Sequence, residues 1–93
     1  MKVITIREEN HGLIGLATSF KAAWRFILEN DWFSVYDELW DTYSGEYVHA
    51  FEVIGKSAKD ITDDELIDWL LKEEGARYSA CFTFDIKEIW EVE

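Results

Sequence analysis

Carboxylates crowd one short stretch of this chain, between residues 60 and 74. The acidic residues of this stretch are Asp60, Asp63, Asp64, Glu65, Asp68, Glu73 and Glu74. Asp64 and Asp68 are four residues apart, so on a helix they lie on one face with Cβ atoms about 5 to 6 Å apart. Carboxylates on neighbouring rows of the helix surface lie farther apart, and their separation approaches the roughly 7 Å between neighbouring phosphates of a nucleic-acid strand. The pattern therefore favours binding to a basic protein surface, including a nucleic-acid-binding groove.

The charge of the chain becomes strongly acidic toward its C-terminal end. The 93 residues carry 20 acids and 9 bases, a net charge of −11. Residues 1–33 hold four acids and four bases, whereas residues 60–93 hold eleven acids and three bases. A field of one sign attracts partners of the opposite sign, and no two bases adjoin that could contact phosphates together. We therefore expect a basic protein surface as the partner, with no direct binding of nucleic acid or membrane.

The predicted docking surface extends from the acidic stretch onto the last strand. Its partner-binding residues are Asp64, Asp68, Glu73, Glu74, Asp85, Glu88 and Glu91. Acids in the first turn of a helix, such as Asp63 and Asp64, complement the helix dipole. Glu73 and Glu74 are expected in the last turn, where the dipole disfavours them, so helix stability does not account for them. A generally acidic, soluble surface accounts for all these residues without a partner, and both interpretations stay open.

Residues that could perform catalysis or bind a metal are few. Cys81 is the only cysteine, and His11 and His49 are the only histidines. Cys81 lies among apolar neighbours in a predicted strand, where an inert thiol is the common outcome. His11 with Glu8 and Glu9 could ligate a metal, but three polar residues around a turn are ordinary solvated surface. We therefore predict that the protein is not an enzyme and holds no metal or cofactor.

The N-terminal third predicts a β-hairpin followed by a helix. Residues 2–7 and 13–17 are rich in β-branched and apolar side chains and flank a turn. Gly12 suits the positive φ of that turn, and Gly15 indicates a bulge or a close backbone approach. Thr18 or Ser19 would cap the helix. Its apolar stripe consists of Phe20, Ala23, Trp24, Ile27 and Leu28.

The middle of the chain predicts a second helix, capped by Ser34 and ended by Gly45. Its stripe consists of Val35, Tyr36, Leu39, Trp40 and Tyr43. Residues 46–54 fit both a helix and a strand, and the spacing of Tyr47, Ala50, Phe51 and Ile54 favours a helix.

The C-terminal third predicts a helix and then a strand. Thr62 and Glu65 form a capping box that starts the helix, and Gly75 would end it as a residue with positive φ. Residues 78–85 alternate between apolar and polar side chains, as a strand does, and could continue through residues 89–92 after a bend.

These elements predict an α+β fold in one domain, residues 1–93. The sheet is three-stranded and mostly antiparallel, formed by the β-hairpin and the C-terminal strand, with three or four helices packed on one face. Fifteen aromatic residues can fill its core. The lone cysteine favours a reducing, cytoplasmic setting, and no targeting or membrane-spanning segment is predicted.

The opening third resembles small acidic accessory proteins of phages and prophages of Gram-positive bacteria. The resemblance consists of a strand, the turn Asn10-His11-Gly12, a second strand, and the residues Thr18 to Ala23 that start a Trp-containing helix. It implies a mobile-element origin, where compact acidic proteins act by blocking host enzymes, and it assigns no residue a role.

Two functions are carried forward. The first is an acidic protein-interaction module that docks its C-terminal face on a basic partner, a nucleic-acid mimic inhibitor being one form of it. The alternative is a self-associating structural or accessory protein, in which exposed aromatics such as Trp32, Phe33 or Trp90 form a homo-oligomer contact and the acids only keep it soluble.

Overall fold

The computed structural model describes residues 1–88. Their strands are β1 (Lys2–Glu8), β2 (Gly12–Ala17), β3 (Glu38–Asp41), β4 (Glu46–His49), β5 (Tyr78–Ser79) and β6 (Phe82–Glu88). Their helices are α1 (Phe20–Glu29), α2 (Ala50–Ile54), a 3-10 helix (Ala58–Asp60), α3 (Asp63–Leu70) and α4 (Glu73–Ala76). The predicted α+β class is confirmed.

The first sheet is the predicted one. Its strand order is β2-β1-β6, and both pairings are antiparallel. The N-terminal hairpin therefore pairs with the C-terminal strand, with Lys2 opposite Glu88 at one end of β1 and Glu8 opposite Phe82 at the other.

Two glycines give the hairpin its shape, as predicted. Gly12 has a φ of 73°, in the region that favours glycine. The register of the hairpin shifts between Ile6 and Arg7, next to the position where Gly15 faces Ile6. A Cβ atom on Gly15 would lie 2.8 Å from the ring of Phe26, so the missing side chain lets α1 approach β2 closely.

Helix α1 covers this sheet with its apolar stripe. The Ser19 hydroxyl accepts the backbone N–H of Ala22 at 3.0 Å, which identifies Ser19 as the cap. Trp24 lies at the centre of the packing, and its ring meets the rings of Phe33, Phe82 and Phe84 edge-on. Helix α3 packs against α1. The buried core cluster contains Ile6, Ala23, Trp24, Ile27, Leu28, Phe33, Leu39, Ala50, Leu66 and Ile67.

The predicted second helix is wrong, because residues 38–49 form a β-hairpin instead. Strands β3 and β4 pair around a turn that ends at Gly45, whose φ is 71°. A second three-stranded sheet results, with the order β4-β3-β5. The ambiguous residues 46–54 hold both structures, since β4 runs directly into the short helix α2.

The C-terminal third follows the prediction at its start and departs from it later. The Thr62 hydroxyl accepts the backbone N–H of Glu65 at 3.2 Å, as the capping box requires. The helix ends at Leu70, however, and Gly75 lies within α4 rather than after a helix end. A Cβ atom on Gly75 would lie 2.5 Å from the backbone oxygen of Trp69, so close packing of the backbone requires glycine there.

The predicted last strand is divided between the two sheets. Strand β5 belongs to the second sheet and β6 to the first, and only Ala80 and Cys81 separate them. The predicted continuation through residues 89–92, including Trp90, lies outside the described residues. Among residues 1–88, no helix is long and apolar enough to cross a membrane.

Candidate binding cleft and acidic surfaces

A cleft of about 460 Å³ opens where the two sheets meet, and we call it the intersheet cleft. It is lined by Glu9, Trp32, Phe33, Asp37, Glu38, Trp40, Tyr47, Ser79, Ala80 and Cys81. Its volume lies within the range of about 300 to 1,000 Å³ that is typical of ligand sites.

The second sheet supplies an aromatic wall of this cleft. Trp40 on β3 lies directly opposite Tyr47 on β4, so both side chains project from the same face of the sheet. Their ring centroids are 4.9 Å apart at an interplanar angle of 67°. Trp40 is 38% exposed and Tyr47 is 67% exposed, whereas the neighbouring Leu39 projects from the other face into the core.

Trp32 and Phe33 supply the remaining aromatic surface. Asp31 takes a left-handed conformation with φ 59° after the end of α1, and the Trp32 N–H then donates to the carbonyl of Ile27 at 3.0 Å. This turn directs the chain away from the helix axis. Phe33 is buried against Trp24, so the core of the first sheet holds this side of the cleft in place.

Three carboxylates border the aromatic surfaces. The Glu9 backbone N–H donates to the carbonyl of Cys81 at 2.9 Å, which fixes the hairpin turn against the link between the sheets. The Asp37 carboxylate accepts the N–H of Ser34 at 2.7 Å, whereas the side chains of Glu9 and Glu38 are exposed and form no hydrogen bond or ion pair within residues 1–88. No Lys, Arg or His lines the cleft in this part of the chain.

Cys81 supplies the cleft with a thiol that is not activated. Burial raises the pKa of its thiol above the ordinary value, and the charge of Glu8 raises it further. The thiol is therefore protonated at neutral pH, whereas nucleophilic catalysis requires the thiolate. An aromatic, negatively charged cleft without an activated nucleophile is suited to binding a cation.

The predicted docking residues within residues 1–88 lie on three elements. Asp64 and Asp68 share α3, where the Arg25 guanidinium of α1 lies 2.6 Å from the Asp64 carboxylate. This hydrogen bond lowers the pKa of Asp64. Glu73 and Glu74 lie on α4.

The expectation that Glu73 and Glu74 end a helix is wrong. They occupy the first turn of α4, where the dipole favours acids, although a helix of one turn has only a weak dipole. Asp68 is the predicted residue that lies in the last turn of α3, and helix stability does not account for it.

The remaining docking residues lie on the last strand. Asp85 and Glu88 belong to β6, in the first sheet, and the Glu88 carboxylate is 3.5 Å from the N-terminal amine of Met1. Glu91 lies outside the described residues. The predicted single surface is thus distributed over a helical part and a strand part.

One buried acid that the sequence did not single out has a structural role. Both Asp41 oxygens accept from Arg77, with Nε at 2.8 Å and Nη2 at 2.7 Å. Asp41 is 4% exposed and also accepts the N–H of Tyr43. The Arg77 guanidinium holds the pKa of Asp41 far below its ordinary range. It also lies over the rings of Tyr43 and Tyr78, at 4.8 and 5.4 Å from their centroids. We call Asp41, Tyr43, Arg77 and Tyr78 the arginine latch.

The latch ties the β3–β4 hairpin to the segment that leads from α4 into β5. Thr42 strengthens this tie, since its N–H and its hydroxyl both donate to the carbonyl of Arg77. The Asp41 oxygens are occupied by intramolecular donors. The other three latch residues, Tyr43, Arg77 and Tyr78, line a second cleft of about 310 Å³ together with Glu73 and Glu74.

The sequence contained a signal for this hairpin and its cleft. Residues 38–41 and 46–49 each hold two adjacent apolar or aromatic residues between polar ones, on either side of a four-residue segment ending in Gly45, and a loop of this length that contains glycine suits a hairpin. The helical stripe through the same residues obscured it, so Trp40 and Tyr47 were not paired.

Residues 1–88 contain no group of three or more His, Cys, Asp or Glu side chains arranged to hold a metal ion. Glu8 instead forms a hydrogen bond with Nδ1 of His11, which lowers the pKa of the glutamate. No family model matches the chain, and neither a curated protein nor a solved structure matches it.

Proposed function

We propose that the protein is an acidic interaction module that docks on a basic partner protein. The observation that supports this most is the distribution of ion pairs. Three of the nine bases of the chain, Arg25, Lys56 and Arg77, are each bound to a carboxylate of this chain. In contrast, Asp68, Glu73 and Glu74 are exposed and form no hydrogen bond or ion pair within residues 1–88.

This pattern favours attraction of a basic surface. The charge of a paired base is largely cancelled by its carboxylate, so it contributes little to the electrostatic field outside the protein. Unpaired acids remain available to an approaching cation. Asp68 is the most informative residue, because its position at the end of α3 brings no local benefit from the helix dipole. Docking in a nucleic-acid-binding groove, and inhibition of a host enzyme by a protein of mobile-element origin, are special forms of this proposal.

A labelled peptide rich in lysine and arginine provides the test. We expect its affinity to fall steeply as salt increases, and duplex DNA to compete with the protein for the peptide. The triple variant Asp68→Lys, Glu73→Lys, Glu74→Lys should bind the peptide much more weakly than wild type.

A charge-matched triple variant, Glu29→Lys, Glu46→Lys, Glu52→Lys, is the control. It changes the net charge by the same amount at exposed acids outside the α3–α4 surface, and it should retain more of the affinity. Equal losses in the two variants would show that only net charge matters and would refute a docking surface on α3 and α4.

Self-association is the second candidate, and exposed aromatics favour it. Tyr36 and Tyr43 are both more than half exposed, and such side chains are enriched at protein interfaces. The net charge opposes the contact, so self-association should strengthen as salt screens the repulsion. Sedimentation at low and high salt separates this candidate from the first, whose binding weakens with salt.

A further inference from the structure

We propose that the intersheet cleft binds an arginine side chain supplied by a basic partner. The inference rests on the proposed function in one respect, namely that the partner is basic. It concerns a different surface from α3 and α4 and identifies the chemical group that is bound.

The arginine latch shows which side chains this chain uses to hold a guanidinium. Arg77 donates from two nitrogens to the two carboxylate oxygens of Asp41, and its guanidinium lies over two tyrosine rings. Guanidinium groups favour such sites because they stack on aromatic faces and match carboxylates in a two-point geometry.

The opposite face of the same sheet repeats this set of side chains. Asp41 and Trp40 are neighbours on β3, so they project from opposite faces. The Trp40 face brings together Trp40, Tyr47 and the carboxylate of Glu38, and Trp32 lies across the cleft. No arginine of residues 1–88 lines this face, so it can accept one from outside.

The charge and shape of the cleft favour a guanidinium over a neutral group. Glu9, Asp37 and Glu38 provide three carboxylates without a base among the lining residues, and a cation above an aromatic face gains about 0.5 to 2 kcal/mol in general. The cleft has room for a long side chain and part of the peptide backbone that carries it.

Three short peptides test the assignment by their binding to the full chain. They are identical except for one central residue, which is arginine, citrulline or lysine. Citrulline keeps the shape of arginine and removes its charge. We expect the arginine peptide to bind most tightly, lysine next and citrulline most weakly, with the indole N–H resonances of Trp32 and Trp40 shifting on titration.

Two matched pairs of variants locate the site. Tyr47→Leu removes a ring from the cleft, and Tyr36→Leu removes a ring of similar exposure, 62% against 67%, elsewhere. We expect Tyr47→Leu to weaken binding of the arginine peptide about 2- to 30-fold and Tyr36→Leu to leave it unchanged. Glu38→Gln should weaken binding as well, whereas Glu46→Gln on the same hairpin should not.

Equal affinity for the arginine and citrulline peptides would overturn the proposal, and so would a higher affinity for the lysine peptide. It would also be overturned if the two variants of either matched pair weakened binding of the arginine peptide equally. The triple lysine variant on α3 and α4 should bind the single-arginine peptide no more weakly than its charge-matched control. Failure of the docking surface and failure of the cleft are therefore distinguishable.

Discussion

The two faces of the second sheet carry the same kinds of side chain in opposite states. On one face the arginine latch joins Asp41 to Arg77, and the carboxylate is buried with its oxygens occupied. On the other face Glu38 and Trp40 are exposed, and the carboxylate has no partner within residues 1–88. An acid contributes to folding when the chain itself supplies a cation to pair with it. An acid that the chain leaves unpaired is available for recognition of a partner. A count of charges cannot make this distinction.

The latch should matter most to stability. Asp41→Asn removes the charge that faces Arg77 and leaves the guanidinium without its partner, so we expect a clear fall in melting temperature. Glu38→Gln, on the opposite face, should change the melting temperature very little. Thermal unfolding followed by circular dichroism measures both. Similar falls for the two variants would contradict the division of the sheet into a structural face and a binding face.

The segment that presents Arg77 should tolerate change poorly. Gly75→Ala would place a Cβ atom 2.5 Å from the Trp69 backbone oxygen, and backbone cannot move aside as a side chain can. Gly45→Ala is the comparison, because open space surrounds that position and only its φ of 71° is unfavourable. We expect Gly45→Ala to lower the free energy of unfolding by about 1 to 2 kcal/mol and Gly75→Ala to lower it by more. Denaturant titrations measure both. The reverse order would show that α4 shifts easily and that the latch is loosely held.

Acid should weaken the latch. The pKa of Asp41 is lower in the folded chain than its unfolded value of about 3.9. Its contribution to stability is therefore complete above that value and is lost as pH falls toward the folded pKa. The denaturant midpoint of Asp41→Asn should vary less between pH 5 and pH 2 than that of wild type. Equal variation of the midpoint in wild type and in Asp41→Asn would count against a role of the latch in stability.

Two tyrosines on one hairpin provide the smallest and most specific contrast. Tyr47→Leu should change the free energy of unfolding by no more than about 0.5 kcal/mol, as exposed substitutions usually do. Tyr43→Leu removes a ring beneath Arg77 and should cost more stability. Only the Tyr47 variant should lose affinity for the arginine peptide. If both variants lost it, the peptide would be binding near the latch.

Local patterns predicted the N-terminal hairpin, the strand β6 and the starts of two helices, whereas the pairing of β1 with β6 joins distant parts of the chain. Ser19 and Thr62 each make the capping contact that their sequence context indicates. Gly15 lies where a close approach was expected, beside Phe26. Each of these features depends on side chains a few residues apart or on one hairpin, so the sequence contains what determines it.

The second sheet was missed for two reasons: a helical pattern hid the β3–β4 hairpin, and the pairing of β3 with β5 is distant in the sequence. Strand β5 has only two residues and joins β3 from a remote part of the sequence, with Asp41 opposite Tyr78. The aromatic spacing of residues 35–43 also satisfies a helical period, and tertiary pairing overrode it. The cleft depends on this sheet, so none of its carboxylates was among the predicted docking residues. The acids of α3 and α4 were found from sequence because they are close together in the chain.

Cys81 gives the intersheet cleft a built-in reporter. It is the only cysteine of the chain, and its side chain lines the cleft at the link between the sheets. A thiol-reactive dye or spin label would therefore attach at a single known position without mutagenesis. Because the pKa of this thiol is raised, labelling should be slow at neutral pH and faster in alkaline buffer. A ligand bound in the cleft should shield the sulfur from the reagent. The rate of alkylation therefore measures the occupancy of the cleft even when the ligand carries no label.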